Sequence, residues 1–345
     1  MAETVKQEEK KELTIVAIES SCDETACAVL RDGVILSSVI SSQIDIHKKF
    51  GGVVPEIAGR NHVLDIERVV SSALEKAGIR ACDADAFAVT YGAGLLGALL
   101  VGVSYAKGLA YALDKPLVKV NHIRGHIAAN YLADPSLKPP YIGLIVSGGH
   151  TALVRVTDYL SLEYVGGTMD DAVGEAFDKV ARVLSLPYPG GPEIEKAARG
   201  GSRTVYVPEP KTGAYDFSFS GIKTSVINFV HNSEARGEAV KKEDVAYSFQ
   251  FAVTEMLVKA AVKAAEASGL KDIAVAGGVG ANGALRKALA EACEKKGMKA
   301  HFPTKDTCTD NAAMIAMEAY LQLRLGDGSA IAADDLDAKA SLPLF

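Results

Sequence analysis

Tyr141-Ile142-Gly143-Leu144-Ile145-Val146-Ser147-Gly148-Gly149-His150-Thr151-Ala152-Leu153-Val154-Arg155-Val156 is the stretch that decides the fold. An apolar, β-branched run reads as a buried strand, Ser147-Gly148-Gly149-His150 as a turn, and Thr151 onward as a second strand. Thr157-Asp158 turns again, and Leu162-Glu163-Tyr164-Val165 is a third strand. The same order occurs once before: a strand at 13–18, a polar turn at 19–25, a strand at 26–30, the Asp-Gly hairpin signal of Arg31-Asp32-Gly33, and a strand at 34–41. Each triplet is followed by helices and further strands. The first leads to a helix at 56–77, a strand at 85–90, the turn Gly92-Ala93-Gly94 and an apolar helix at 95–113. The second leads through helical segments to a strand at 272–276, a glycine turn and a helix at 282–296. The two triplets do not match residue for residue, so the repeat is one of architecture. It predicts an α/β chain of two like halves facing each other across a cleft, with the first turn of each half pointing into it.

Size and charge fit that reading. The chain has 345 residues, 48% of them hydrophobic, enough for two domains with a large core. The charged stretch 1–12 lacks the apolar core of a secretory signal and reads as a disordered tail. No apolar run of membrane-spanning length is free of charges and glycine clusters, so no membrane partner is expected. Five cysteines with no CxxC pair suggest reduced thiols and a reducing, cytoplasmic setting. A net charge of −6 advertises no nucleic acid; if one binds, a local basic patch must hold it. His47-Lys48-Lys49 and Arg60-Asn61-His62, beside Gly51-Gly52-Val53-Val54-Pro55, are either solvated surface or a loop facing a nucleic acid.

The residues able to do chemistry gather at strand ends. Asn121-His122-Ile123-Arg124-Gly125-His126 follows the strand at 116–120, with Asn121 placed to cap a helix. His122 and His126, four apart, then share a helix face and can hold one transition-metal ion, or are simply two polar residues on a half-exposed helix. Asp310, at the start of a final helix at 311–324, is either that helix's cap or a third ligand. The motif is HxxxH without the glutamate of a zinc peptidase, which argues against peptidase chemistry. Three turns, 20–25, 147–149 and 277–282, could bind phosphate oxygens through converging backbone N–H groups. No GxxxxGK[ST] is present, against a P-loop enzyme, and the first strand triplet carries no GxGxxG. Asp178 is a solvated helix carboxylate or a partner for a substrate hydroxyl. Asp23 and Glu24 are exposed turn residues or a catalytic pair.

Together, Ile18-Glu19-Ser20-Ser21-Cys22-Asp23-Glu24-Thr25, Gly51-Gly52-Val53-Val54-Pro55-Glu56, the HxxxH, Val146-Ser147-Gly148-Gly149-His150-Thr151, Gly174-Glu175-Ala176-Phe177-Asp178-Lys179, Tyr188-Pro189-Gly190-Gly191-Pro192, Asp216-Phe217-Ser218-Phe219-Ser220-Gly221 and the 277–282 turn resemble the TsaD family over 13–325. These are the tRNA adenosine threonylcarbamoyltransferases, once labelled glycoprotein endopeptidases, and the Gly-Gly-Val-Val-Pro-Glu stretch is similar to their bacterial branch. The resemblance implies an actin/Hsp70/sugar-kinase-like (ASKHA) fold of two RNase H-like halves. These would be 13–135, completed by 301–345, and 136–300, with a helical insertion at 166–242. It implies transfer of threonylcarbamoyl from threonylcarbamoyl-AMP to N6 of the adenosine 3′ of the anticodon, in tRNAs reading ANN codons, with AMP released (t6A formation). It implies His122, His126 and Asp310 as ligands of one Fe2+ or Zn2+, with Mg2+ accompanying bound nucleotide. Ile145, Val146, Ser147, Gly148, Gly149, Asp178, Gly191, Glu195 and Asn282 would contact the adenylate. Partners would be a TsaB-like paralogue and a TsaE-like ATPase. The alternative on the same fold is an ATP phosphotransferase acting on a small molecule, which would need an aspartate base and Mg2+ rather than a histidine-bound metal.

Overall fold

A computed structural model describes residues 12–332 and 335–344; all of the tail at 1–12 except its last residue lies outside them. The first triplet is β1 (Thr14–Glu19), β2 (Glu24–Arg31) and β3 (Val34–Ser42), followed by α1 (Ile44–His47), α2 (Pro55–Ala77), β4 (Ala86–Gly92), α3 (Leu96–Leu113), β5 (Leu117–Asn121) and α4 (His122–Ala133). The second is β6 (Tyr141–Val146), β7 (Thr151–Asp158) and β8 (Ser161–Gly167). After it come α5 (Val173–Val183), α6 (Gly190–Ala197), α7 (Ser220–Ala235) and α8 (Lys242–Ser268). Then follow β9 (Asp272–Ala276), α9 (Gly283–Lys295), β10 (Lys299–His301), α10 (Lys305–Cys308) and α11 (Ala312–Leu325).

The repeat read from the sequence is a repeat of topology. One sheet has the order β3-β2-β1-β4-β5 and the other β8-β7-β6-β9-β10, which is the same order. In each, the hairpin pairs are antiparallel and the later strands join in parallel. Asp32 and Gly33 both take positive φ, 47° and 81°, the twist that a tight hairpin between two right-twisted strands requires.

Strand burial explains the layers. Every residue of β1 is buried: Val16 and Ile18 face α2 and α3, while Ile15 and Ala17 face a middle layer of α4 and α11. In β6, Ile145 faces that middle layer, whereas Ile142, Leu144 and Val146 join the core under α5 and α8. A strand apolar on both faces thus marks a sheet covered on both sides. In the second core Phe177 meets Phe249 edge-on at 5.1 Å between ring centroids. Truncating the fully buried Phe249 to alanine is expected to cost about 3–5 kcal/mol, read as a lower denaturant midpoint with unchanged slope. By length and composition α3 and α8 could each cross a membrane. Here α3 packs on β4 and α2, and α8 on α9 and α6.

Two local readings change. The segment 188–192, expected as a tight turn, runs into α6: Pro189 is the extended N-cap residue, and Gly190, Gly191 and Pro192 form the first helical turn. Proline has no N–H to lose there, so the turn-like composition also suits a helix start. At the last helix the cap is Asn311, whose Oδ1 accepts from the Met314 N–H at 2.9 Å. That leaves the Asp310 carboxylate uncommitted to capping.

Candidate metal centre and adenylate cleft

The histidine helix is built as its sequence suggests. Asn121 ends β5 and caps α4, its Oδ1 accepting from the Ile123 N–H at 2.9 Å. His122 and His126 then point the same way, their rings edge-on with centroids 4.6 Å apart. Nε2 of His122 lies 3.4 Å and Nε2 of His126 3.2 Å from Oδ1 of Asp310. What joins them is packing at Gly125, between the two histidines. A Cβ there would come 2.7 Å from Cδ1 of Ile315, so α4 and α11 approach at glycine distance. Arg124 clamps the same pair of helices, its Nε donating to Glu318 Oε1 at 2.8 Å.

The ligand atoms of His122, His126 and Asp310 lie within 4.8 Å of one another, the only such group among the described residues. Two imidazoles and a carboxylate suit a transition metal, and the surroundings fit one. Nδ1 of His122 lies 3.1 Å from Glu19 Oε2 and 3.1 Å from Ser21 Oγ. Nδ1 faces Glu19 and Nε2 faces Asp310, carboxylates that can only accept; an ion on Nε2 would take the place of one proton and leave Nδ1–H on Glu19, the carboxylate–histidine arrangement of metal sites. Glu19 is fully buried and is held by the Thr90 hydroxyl at 2.6 Å and by the Ser21 N–H. Burial would push the His122 imidazole down, but Asp310 and Glu19 outweigh it and hold it well above its ordinary value. Burial would push Asp310 up, and the two histidines overcome that and hold it far below the carboxylate range. A cluster that draws a proton between two carboxylates is one a cation can occupy instead. Glu19 was missed as a participant by sequence reasoning; a lone acid at the end of an otherwise apolar strand was the available signal. Glu19→Gln is expected to weaken metal binding about 10–100-fold, measured by competition with a chelator.

The cluster opens into a cleft of about 460 Å³. Its walls include Ser21 and Cys22 from the first turn, Ser147, Gly148 and Gly149 from the matching turn, Asp178 of α5, and Tyr188. Both first turns of the duplicated triplets therefore meet at one place. The 147–150 turn is closed by the Ser147 N–H donating to the His150 carbonyl at 2.8 Å, and by the His150 N–H donating to Ser147 Oγ at 3.0 Å. Ile145 and Val146 lie fully buried in β6 beneath it. Two glycines seat the turn: a Cβ on Gly174 would come 2.7 Å from Gly148 Cα, and one on Gly277, at φ +98°, would come 2.6 Å from the Val146 carbonyl. Asp178 Oδ1 accepts from the Gly190 N–H at 2.7 Å, and burial raises its carboxyl.

Other expected residues lie off this wall. Asn282 caps α9 through Leu285 and donates to Gln250 Oε1 at 2.9 Å. Glu195 reaches Gly283, where a Cβ would come 2.9 Å from its Oε1, and Gly191 sits in the first turn of α6. Asp23 and Glu24 sit beside Cys22 without lining the cleft. Asp23 is buried, its Oδ2 without a hydrogen bond, and Glu24 accepts from the Ser42 hydroxyl at 3.1 Å. Burial, then Asp23 and Asp310, push the Glu24 carboxyl up to about 10, so it is protonated at neutral pH.

His62 of α2 braces the first turn from behind: Nδ1 is 2.7 Å from Thr25 Oγ1 and Nε2 3.0 Å from the Cys22 carbonyl. Burial lowers its pKa below 6.5, against an opposing pull from that carbonyl. A depressed pKa means the folded state binds fewer protons than the unfolded one. Stability is then present above about pH 6.5 and falls as pH drops through the folded value. Denaturant titrations between pH 5 and 8 should show that loss, reduced in His62→Gln.

Two sheets of one topology, facing a cleft through paired turns, define the two-lobed ASKHA-like class. Solved structures agree. The chain aligns with HypF from T. kodakarensis at TM-score 0.65 and 18% identity, over 95% of this chain and 49% of that one. Full-length HypF in its phosphate- and nucleotide-bound form matches at TM-score 0.63 and 17% identity, over 94% and 48%. Among relatives, the tRNA N6-adenosine threonylcarbamoyltransferase of Clostridium perfringens is 53% identical over 96% of this chain and 98% of its own. The Moorella thermoacetica protein of that name is 52% identical over the same shares. The profile of the TsaD family, tRNA N6-adenosine threonylcarbamoyltransferase, matches residues 34–317. The chain belongs to that family.

Proposed function

We propose that this protein transfers the threonylcarbamoyl group of threonylcarbamoyl-AMP to N6 of the adenosine 3′ of the anticodon, in tRNAs reading ANN codons, releasing AMP. Family membership makes it a tRNA threonylcarbamoyltransferase; the donor, the ion and the residue roles are our reading. The observation that carries it is the His-His-Asp cluster opening into the same cleft as the Ser147-Gly148-Gly149 turn.

His122, His126 and Asp310 would hold Fe2+ or Zn2+, both of which accept this donor set. A bound ion there supplies Lewis-acid polarisation of the carbamoyl carbonyl. Backbone N–H groups at Gly148 and Gly149, in the turn that Ser147 closes, receive the donor phosphate, which any accompanying Mg2+ would also neutralise, and glycine lets that phosphate approach the chain. Ile145 and Val146 fix the turn. Asp178 orients a ribose hydroxyl, while Gly191, Glu195 and Asn282 back the adenosine end. The N6 amine attacks the carbamoyl carbon, the bond from that carbon to the phosphate oxygen breaks, and AMP leaves with the electron pair. The phosphate of the departing AMP is the candidate acceptor for the N6 proton, and Asp23, off the cleft wall beside Cys22, would act from behind it. Glu24 keeps its own proton and steadies Asp23.

Residues 13–135 with 301–345, and 136–300 with the insertion 166–242, are taken as the two halves. A TsaB-like paralogue and a TsaE-like ATPase would complete a cytoplasmic assembly and share the basic surface that an acidic chain lacks. The test is to incubate the protein and these partners with tRNA and threonylcarbamoyl-AMP, then digest the tRNA for nucleoside mass analysis. Threonylcarbamoyladenosine with equimolar AMP is expected. Unmodified tRNA, with phosphoryl transfer from ATP to a small molecule instead, would overturn the reading.

A further inference from the structure

We propose that the segment Lys48-Lys49-Phe50 is the lip on which the anticodon loop docks, Phe50 stacking on an unpaired base and the lysines meeting phosphates. This rests on the reading above that tRNA is the acceptor.

Phe50 is 56% exposed, and the three residues after it, Gly51, Gly52 and Val53, line the cleft. A large apolar ring in water at the rim of a cleft is poorly placed for stability. It is well placed for a base, since loop bases are splayed out and stacked on aromatic rings in RNA recognition.

The lip is also built in advance. His47 is fully buried beneath it. The Val54 N–H donates to His47 Nδ1 at 3.3 Å, and the Gly52 N–H donates to the His47 carbonyl at 3.3 Å. The Gly51 N–H donates to the Lys48 carbonyl at 3.2 Å, and Gly51 takes φ +70°, which favours glycine. From the opposite side of the cleft, Arg182 of α5 donates to the Gly51 carbonyl at 2.7 Å. Phe50 is therefore presented by a loop tied at both ends and across the cleft, which lowers the ordering cost of binding.

Charge favours the same place. Across the cleft, Lys179 and Lys223 both bond Asp171. Arg203 and Lys259 pair with Glu255 and Glu209. Lys49 has no carboxylate partner among the described residues, and Lys48 makes only an exposed pair with Asp45 at 3.1 Å, of a kind a phosphate displaces readily. A chain of net charge −6 thus offers an unneutralised cation and a free aromatic ring together at the rim of the cleft.

The test is steady-state kinetics of the full assembly with an ANN-reading tRNA and threonylcarbamoyl-AMP, each varied in turn. Phe50→Ala should raise KM for tRNA about tenfold while leaving KM for the adenylate and the bound metal unchanged, and Phe50→Trp should restore it. Lys49→Ala should reduce the slope of log KM for tRNA against log salt by about one. A Phe50→Ala protein with the parent KM for tRNA would overturn the lip and leave the reaction standing. A parent protein that forms no modified nucleoside would sink the reaction, and the lip with it.

Discussion

Replacing His126 with alanine is expected to strip the metal from the purified protein and to cut t6A formation about a thousandfold or more. The reason is geometric. Nε2 of both histidines sits within 3.4 Å of one Asp310 oxygen, and His126 is 1% exposed, so no solvent-borne group stands ready to replace it. Loss of Lewis-acid stabilisation worth about 4 kcal/mol corresponds to that factor at about 1.4 kcal/mol per decade. The protein should stay folded, because the core residues around α4 (Ile123, Ile127, Ala128 and Ala129) are untouched. Metal analysis, nucleoside mass analysis and circular dichroism on the same preparation check all three statements. Full activity in the alanine variant would remove the ion from the mechanism.

Asp310→Asn should have an effect of similar size on activity and should lose the metal, whereas Asn311→Ala should keep both and lose stability through its helix cap. The neighbouring residues have separate tasks. The Asp310 carboxylate faces the imidazoles, and exchanging it for an amide removes the charge that offsets a divalent cation. Asn311 carries the helix cap, and its loss should cost about 1 kcal/mol of stability while metal is retained. Thermal melts in the presence of chelator, set beside metal content, separate the two. If Asn311→Ala loses metal while Asp310→Asn keeps it, the assignment of the third ligand is wrong.

These two residues also show what could be read before the fold was known. The double strand triplet is a matter of local periodicity and turn chemistry, and it predicted two like halves, while the order of strands within each sheet came from the fold. The HxxxH spacing on a capped helix is equally local. The choice at 310–311 was not, because either residue is a good cap and composition does not say which one turns toward α4. The segment 188–192 failed for a related reason: Gly-Gly-Pro suits a turn or a first helical turn, and the contact that settles it, the Gly190 N–H on Asp178, comes from another helix.

By itself, then, the sequence determined the strands, the helices, the duplication and the paired histidines, since each follows from neighbours within a few positions. Tertiary structure alone decided that Asp310 and Glu19, remote in the chain, reach those histidines. Such meetings depend on how closely helices may pack. At Gly125 that distance is set by the missing Cβ opposite Ile315, a contact with no trace in the local pattern of either helix.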